Sequence, residues 1–239
     1  MSEEVRIESK LIDGFVNDLG VWAWSQLQAE AGKKDLTNKL NAEEEKEFQW
    51  TRAIVSLSIA KGFILANHQP ELAGALVEQM NQEEPGCADE LLGDMLSQYK
   101  LSLAKNLAGR CESPKALNQA VLESDLTRDR NGVSEKQRIE PKYILDFVID
   151  LGRFASVDIY KLDPGKKVGA SEAKQLQTTA DIVGIAIAKG LILANYQPEL
   201  AAALVQQTNQ DIPGFADEQL KEMLSRYQSL VYEKARGIS

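Results

Sequence analysis

The chain has a single histidine, His68, so no multi-histidine metal centre can be assembled from it. It has two cysteines, Cys87 and Cys111, neither in a CxxC pair. That is no disulfide framework, and it fits reduced thiols in the cytoplasm. Aromatic residues are sparse, at 6%. Positive charge is in deficit: 27 Lys and Arg stand against 36 Asp and Glu, for a net charge of −9. Nucleic-acid backbones and anionic membrane surfaces need a basic footprint, so both are excluded as expected partners. The N-terminus, MSEEVRIESK, has no apolar core of the kind a signal peptide needs. No apolar run reads as a membrane span. These absences make a cytoplasmic location the expectation. P-loops, GxGxxG, HExxH, GxSxG and EF-hand loops are missing, and with them any motif-level reason to expect a catalytic residue, a metal or a cofactor. Alternating β-branched segments are missing too, which leaves no strand to propose.

What is present is repetition. IAKGFILANHQPELA at residues 59–73 returns as IAKGLILANYQPELA at residues 187–201. Residues 54–99 lie over residues 182–227 at an offset of 128, and roughly two-thirds of the positions are identical, the signature of duplication. Upstream, LIDGFVNDLG answers ILDFVIDLG, with Phe15 over Phe147 and Gly20 over Gly152. The offset is larger there by four, so the intervening loops differ in length. The units implied are residues 5–109 and 137–237. The connector between them, 110–136, combines SPKALNQAVLES, which has the spacing of a short helix, with a polar, turn-rich remainder.

Each unit reads as four helices. The first covers about 8–31 and 141–162, with apolar Leu11, Ile12, Phe15, Val16, Leu19 and Trp22 at helical spacing. The second covers about 42–67 and 171–195, opened by NAEEE and SEAK, each a capping residue followed by early acids. Gln-Pro-Glu opens the third at Pro70 and Pro198, and Pro-Gly precedes the fourth at Pro85 and Pro213. Asn67 and Asn195 fit left-handed helix ends. The expected architecture is all-α: a tandem duplication of a four-helix unit, with the two units packed as a pseudo-symmetric helical bundle.

The second helix is apolar nearly all round, which places it at the centre of a fold. A glycine inside it costs about 1 kcal/mol against alanine and so needs a packing reason. Ser58, Gly62 and Ala66 share one face, as do Ala186, Gly190 and Ala194. Such a small-residue stripe lets helix backbones approach. The crossing lies either within one unit or between units, with Gly62 facing Gly190.

Lys61 and Lys189 precede these glycines. Their stems either snorkel to water or pair with carboxylates such as Glu71 and Glu199. A buried lysine of lowered pKa would instead serve as a base or a Schiff-base nucleophile, although no second catalytic group stands at a matching spacing. Trp22 aligns with Phe154, which marks that position as core. Trp24 aligns with Ser156 and Trp50 with Thr178. Tryptophans present in one unit only point to a partner-binding surface there, or to packing against the longer loop AGKKDLTNKLNAEEEKE. The leading functional expectation is a non-enzymatic cytoplasmic interaction or scaffold protein with a protein partner. The alternative is a small-molecule-binding protein with its site between the two units, and an enzyme ranks third.

Overall fold

Proline and glycine punctuate the chain where helices stop, and the computed structural model follows that punctuation. It describes residues 7–30, 41–109, 139–160 and 169–236. Among them are eight α-helices and no strand, so the protein is all-helical. They are α1 (Ile12–Glu30), α2 (Ala42–His68), α3 (Glu71–Glu83), α4 (Cys87–Gly109), α5 (Ile144–Tyr160), α6 (Ala170–Tyr196), α7 (Glu199–Asp211) and α8 (Phe215–Ala235). A short 3-10 turn leads into α1 at Ser9–Leu11 and into α5 at Pro141–Tyr143. The connector at 110–136, including Cys111, lies outside the described residues.

Local chemistry explains most of the helix ends. At the start of α2, Asn41 Oδ1 accepts the Glu44 N–H at 3.0 Å and Glu44 Oε2 accepts the Asn41 N–H at 3.1 Å, a closed capping box. α6 starts earlier than the SEAK segment suggests. Its cap is Gly169, whose N–H is taken by Glu172 Oε2 at 3.1 Å. Asn67 and Asn195 are the last residues but one of α2 and α6, so each helix ends one residue later than its asparagine. The chain leaves α6 at Gln197, with φ −140° and ψ 85°. The Pro-Gly turns put Gly86 and Gly214 at φ 86° and 81°, where a side chain is strained. Asn81 Oδ1 reaches over the first of these turns to the Ala88 N–H, and Asn209 Oδ1 over the second to the Ala216 N–H.

The two longest helices, α2 and α6, pack on each other at the centre. Ile59, Phe63 and Leu65 of α2 and Ile187, Leu191 and Leu193 of α6 are fully buried. Residues 172–196 turn out to be long and apolar enough to cross a membrane by composition, which the reading of apolar runs overlooked. Of its most apolar 18-residue window, 67% is buried inside the fold, as expected of a core helix. The contact between α2 and α6 depends on two missing side chains. A Cβ on Gly62 would run into the Ile187 carbonyl oxygen and come within 2.9 Å of Gly190 Cα. A Cβ on Gly190 would run into the Ile59 carbonyl oxygen and come within 3.0 Å of Gly62 Cα. The close crossing therefore lies between the two halves. A further close approach occurs within each half: Gly20 of α1 abuts the Arg52 carbonyl of α2, and Gly152 of α5 abuts the Ala180 carbonyl of α6.

The halves also exchange their outer layers. α3 packs on α5 and α6, α7 packs on α1 and α2, and one hydrophobic cluster runs through both halves. The segment before α1 is held by the second half. Gln197 Oε1 accepts the Ile7 N–H at 2.9 Å and Gln197 Nε2 donates to the Ile7 carbonyl at 2.8 Å. The segment before α5 is held by the first half: Gln69 makes the same pair of bonds with Ile139, at 3.0 and 2.7 Å. Both glutamines are buried. Tyr99 and Tyr227 complete the two seats, accepting the Glu8 and Glu140 N–H groups at 2.9 Å and meeting Phe15 and Phe147 edge-on.

Three outcomes follow for stability. Gly62→Ala forces the α2 and α6 backbones apart and should cost about 3 kcal/mol or more. Gly93→Ala, where nothing lies within 4 Å of the added carbon, should stabilise by about 0.5–1 kcal/mol; urea denaturation followed by circular dichroism compares the two. Gln197→Leu strands a buried N–H and a carbonyl and should cost about 2–3 kcal/mol. Hydrogen exchange should show the Ile7 amide losing protection in that variant, and an Ile7 amide that stays protected would contradict the clamp.

Candidate functional site

The second-half side of the α2–α6 contact is incomplete. α2 presents Ile54, Leu57, Ser58 and Lys61 there, and α5 presents Leu151, Phe154 and Ala155. α6 contributes Val183 and Ile187, and α8 closes the side with Gln219, Glu222 and Arg226. Between them lies a cavity of about 290 Å³. It is near the lower end of ligand pockets and has room for about ten waters or a ligand of roughly a dozen non-hydrogen atoms.

Helical spacing puts the three polar residues of α8 on one face, at i, i+3 and i+7. Lys61 Nζ stands 3.9 Å from Glu222 Oε1. The lysine side chain is 16% exposed and the glutamate 48%, so solvent screens the pair. The Arg226 guanidinium lies 4.7 Å from the centre of the Phe154 ring. The Gln219 Oε1 is buried and accepts no hydrogen bond.

The corresponding place in the first half carries a larger aromatic side chain. Trp22 stands at the position of Phe154, and the Lys189 ammonium lies 4.5 Å from the centre of the Trp22 ring. Leu91 stands at the position of Gln219, Asp94 at that of Glu222 and Gln98 at that of Arg226. Lys189 is 9% exposed. Burial holds its pKa below the usual lysine value, and the Asp94 carboxylate works in the opposite direction. The two lysines therefore have different surroundings despite nearly identical sequence. The acids near them are Glu222 and Asp94, from the fourth helix of the opposite half, rather than Glu71 and Glu199. Of the two, Lys61 alone lines this cavity.

The other sequence-predicted positions divide. Ser58, Gly62, Ala66, Ala186, Gly190 and Ala194 are all buried, and Ser58 also borders the cavity. Trp24 does not present a surface: it is 6% exposed, meets Phe48 edge-on at 4.9 Å, and its buried indole N–H has no acceptor. Phe48 of α2 lies against it, a contact that sequence alignment alone does not reveal; the loop at 31–40 lies outside the described residues. Trp50 is 45% exposed. Cys87 is half-buried, and burial together with Glu84 and Glu90 pushes its thiol pKa up, away from a reactive thiolate. No group of three or more metal-ligating side chains occurs among the described residues.

Sequence reasoning took Phe154 for core and passed over Gln219 and Arg226. The signal was present: aligned with Trp22, Leu91 and Gln98, they change volume, polarity and charge at one place. Gln69 and Gln197 were also passed over, although each is a polar residue kept beside a proline in an apolar surrounding.

Comparison with protein-family models, curated proteins and solved structures finds no match. The functional reading therefore rests on this chain's own geometry.

Lys189→Met supplies a test of the buried charge. Below the lowered pKa the protonated lysine is present in both folded and unfolded states, and folding must desolvate it. The penalty fades as the pH rises through that lowered value toward the usual one. The variant should be more stable than wild type by about 1 kcal/mol at pH 7, after allowance for the lost ring contact. Its advantage should shrink toward pH 10 in pH-dependent urea denaturation.

Proposed function

We propose that the chain is a tandem duplication of a four-helix unit, paired about a pseudo-twofold, in which one of two equivalent inter-unit sites has opened into a small-molecule-binding cleft. Support for the duplication comes from the aligned residues 54–99 and 182–227 and from the reciprocal pairs Gln69–Ile139 and Gln197–Ile7. The observation that carries the binding reading is the cavity of about 290 Å³ at Phe154, where the other half has a tryptophan lying against a lysine. Duplication supplies an internal control: one copy keeps the site packed while the other is free to change. The cleft is a binding site rather than a catalytic one in this reading, because its ionisable groups are a long lysine–glutamate pair and an arginine lying on a ring. No nucleophile–base pair is assembled there.

A second reading has one observation in its favour. Trp50 and Leu57, seven residues apart on one face of α2, are both exposed, and an exposed tryptophan is a common anchor for a protein partner. In that case the chain is a non-enzymatic interaction protein and Trp50 is its contact.

Filling the cleft tests the binding reading. Phe154→Trp copies the residue of the first half and should leave the fold intact, with stability unchanged or raised by up to about 1 kcal/mol. Wild-type protein should bind 4-cresol, a neutral apolar probe, in a thermal-shift titration, and the variant should bind it at least about tenfold more weakly, or 1.4 kcal/mol. Equal binding by both proteins, or no binding by wild type, overturns the reading.

A further inference from the structure

We propose that the ligand of the cleft is a neutral small molecule built on an electron-rich aromatic ring, which lies against the Lys61 ammonium as the Trp22 ring lies against Lys189. This rests on the cleft being a binding site, and goes beyond it by naming the ligand's chemistry.

The first half supplies the template. There a lysine from one second helix meets a ring from the first helix, and a carboxylate from the fourth helix, of the opposite half. The Lys189 ammonium lies 4.5 Å from the centre of the Trp22 ring, and Asp94 acts on the same charge. A cation over the face of an indole is attracted by the negative face of the ring, most strongly where water is excluded.

The cleft keeps the lysine and the carboxylate but not the indole. Phe154 stands where the other half has Trp22, and its smaller ring is already engaged: the Arg226 guanidinium lies 4.7 Å from its centre. Lys61 keeps a carboxylate, Glu222 Oε1, at 3.9 Å, which is too long for a hydrogen bond. The Lys61 side chain is 16% exposed, so it is largely withdrawn from water. Lys61, Glu222 and Phe154 all line the cavity of about 290 Å³, and Leu57, Leu151 and Val183 give it apolar walls. A ligand carboxylate would stand beside Glu222 and a ligand ammonium beside Lys61, so the charges already in place favour a neutral body. A flat ring on the apolar walls turns a face or an edge to Lys61, and the face is the side that attracts a cation. Indole itself is smaller than the roughly dozen non-hydrogen atoms for which there is room.

The test varies the electron density of one ring at nearly constant shape, by calorimetry with indole, 5-fluoroindole and 4,5,6,7-tetrafluoroindole. 4-Cresol remains the reference for the cleft itself. Fluorine drains the negative face of the ring while making the molecule more apolar, so a cation–ring contact and simple hydrophobic burial predict opposite orders. Wild-type protein should bind indole most tightly and tetrafluoroindole about fivefold more weakly. Lys61→Met keeps an unbranched stem and removes the charge. It should flatten or reverse that order, with 4-cresol still bound and circular dichroism unchanged. Lys61→Gln makes the same comparison should Lys61→Met not fold, and if neither folds the order in wild type decides. If 4-cresol binds and fluorination leaves affinity for wild type unchanged or raises it, the proposal is overturned and the cleft stands. If fluorination weakens binding equally in wild type and in the folded variant, its effect is steric and the proposal is overturned as well. If 4-cresol itself does not bind to wild type, the binding reading fails and this inference fails with it.

Discussion

The fold depends on the absence of two β-carbons. At Gly62 and Gly190 the backbones of α2 and α6 lie so close that a methyl group on either would meet a carbonyl oxygen of the other. Helices usually pack with their axes 8–10 Å apart, separated by side chains. Here the separation falls below what side chains permit, and the flanking residues close over the contact. Ile59, Phe63, Ile187 and Leu191 can then be buried from both sides at once. Each glycine costs helix propensity, but the close approach recovers more through the packed area around it. The other helices are arranged around this crossing. α1 and α5 approach α2 and α6 through glycines of their own, at Gly20 and Gly152.

A central crossing between halves leads to an exchanged outer layer. Because α2 and α6 share one interface, the surface beside each is as near to the opposite half's short helix as to its own. α3 therefore packs on α6 and α7 on α2. The buried amides of Gln69 and Gln197 stabilise this arrangement in one register only. Each behaves as a two-bond backbone mimic, satisfying both the N–H and the carbonyl of a segment that would otherwise be buried unpaired. The cleft is a by-product of the same geometry, since each second helix brings its lysine to the fourth helix of the other half.

Much of the architecture was legible because it depends on local rules. The helix starts after Pro70 and Pro198, the Pro-Gly turns and the apolar character of α2 and α6 follow from propensity and periodicity. The glycine stripe could be recognised from its spacing, although spacing does not say which helix lies opposite. The errors have the same origin. Asn195 marks the helix end to within one residue, but the cap itself is Gln197, the residue that also meets the incoming chain. Trp24 resembles a surface residue because its aligned partner is a serine, whereas Ser156 is itself buried. Phe154 resembles ordinary core when aligned with Trp22. That alignment shows a loss of volume but not whether a neighbour moves in, and here a cavity lies beside the smaller ring.

The clamp on Ile7 also bears on synthesis. The residue that receives this segment, Gln197, is 190 positions further along the chain. At ordinary rates of translation it leaves the ribosome roughly 10–40 seconds after Ile7 does. During that interval α2 has been made, while the surface that will cover Gly62 and Phe63 has not. The first half can form its helices early, but its apolar central helix stays open until α6 emerges. The nascent chain thus passes through a vectorial intermediate with a preformed seat for its own missing half, and for an identical half on a neighbouring ribosome.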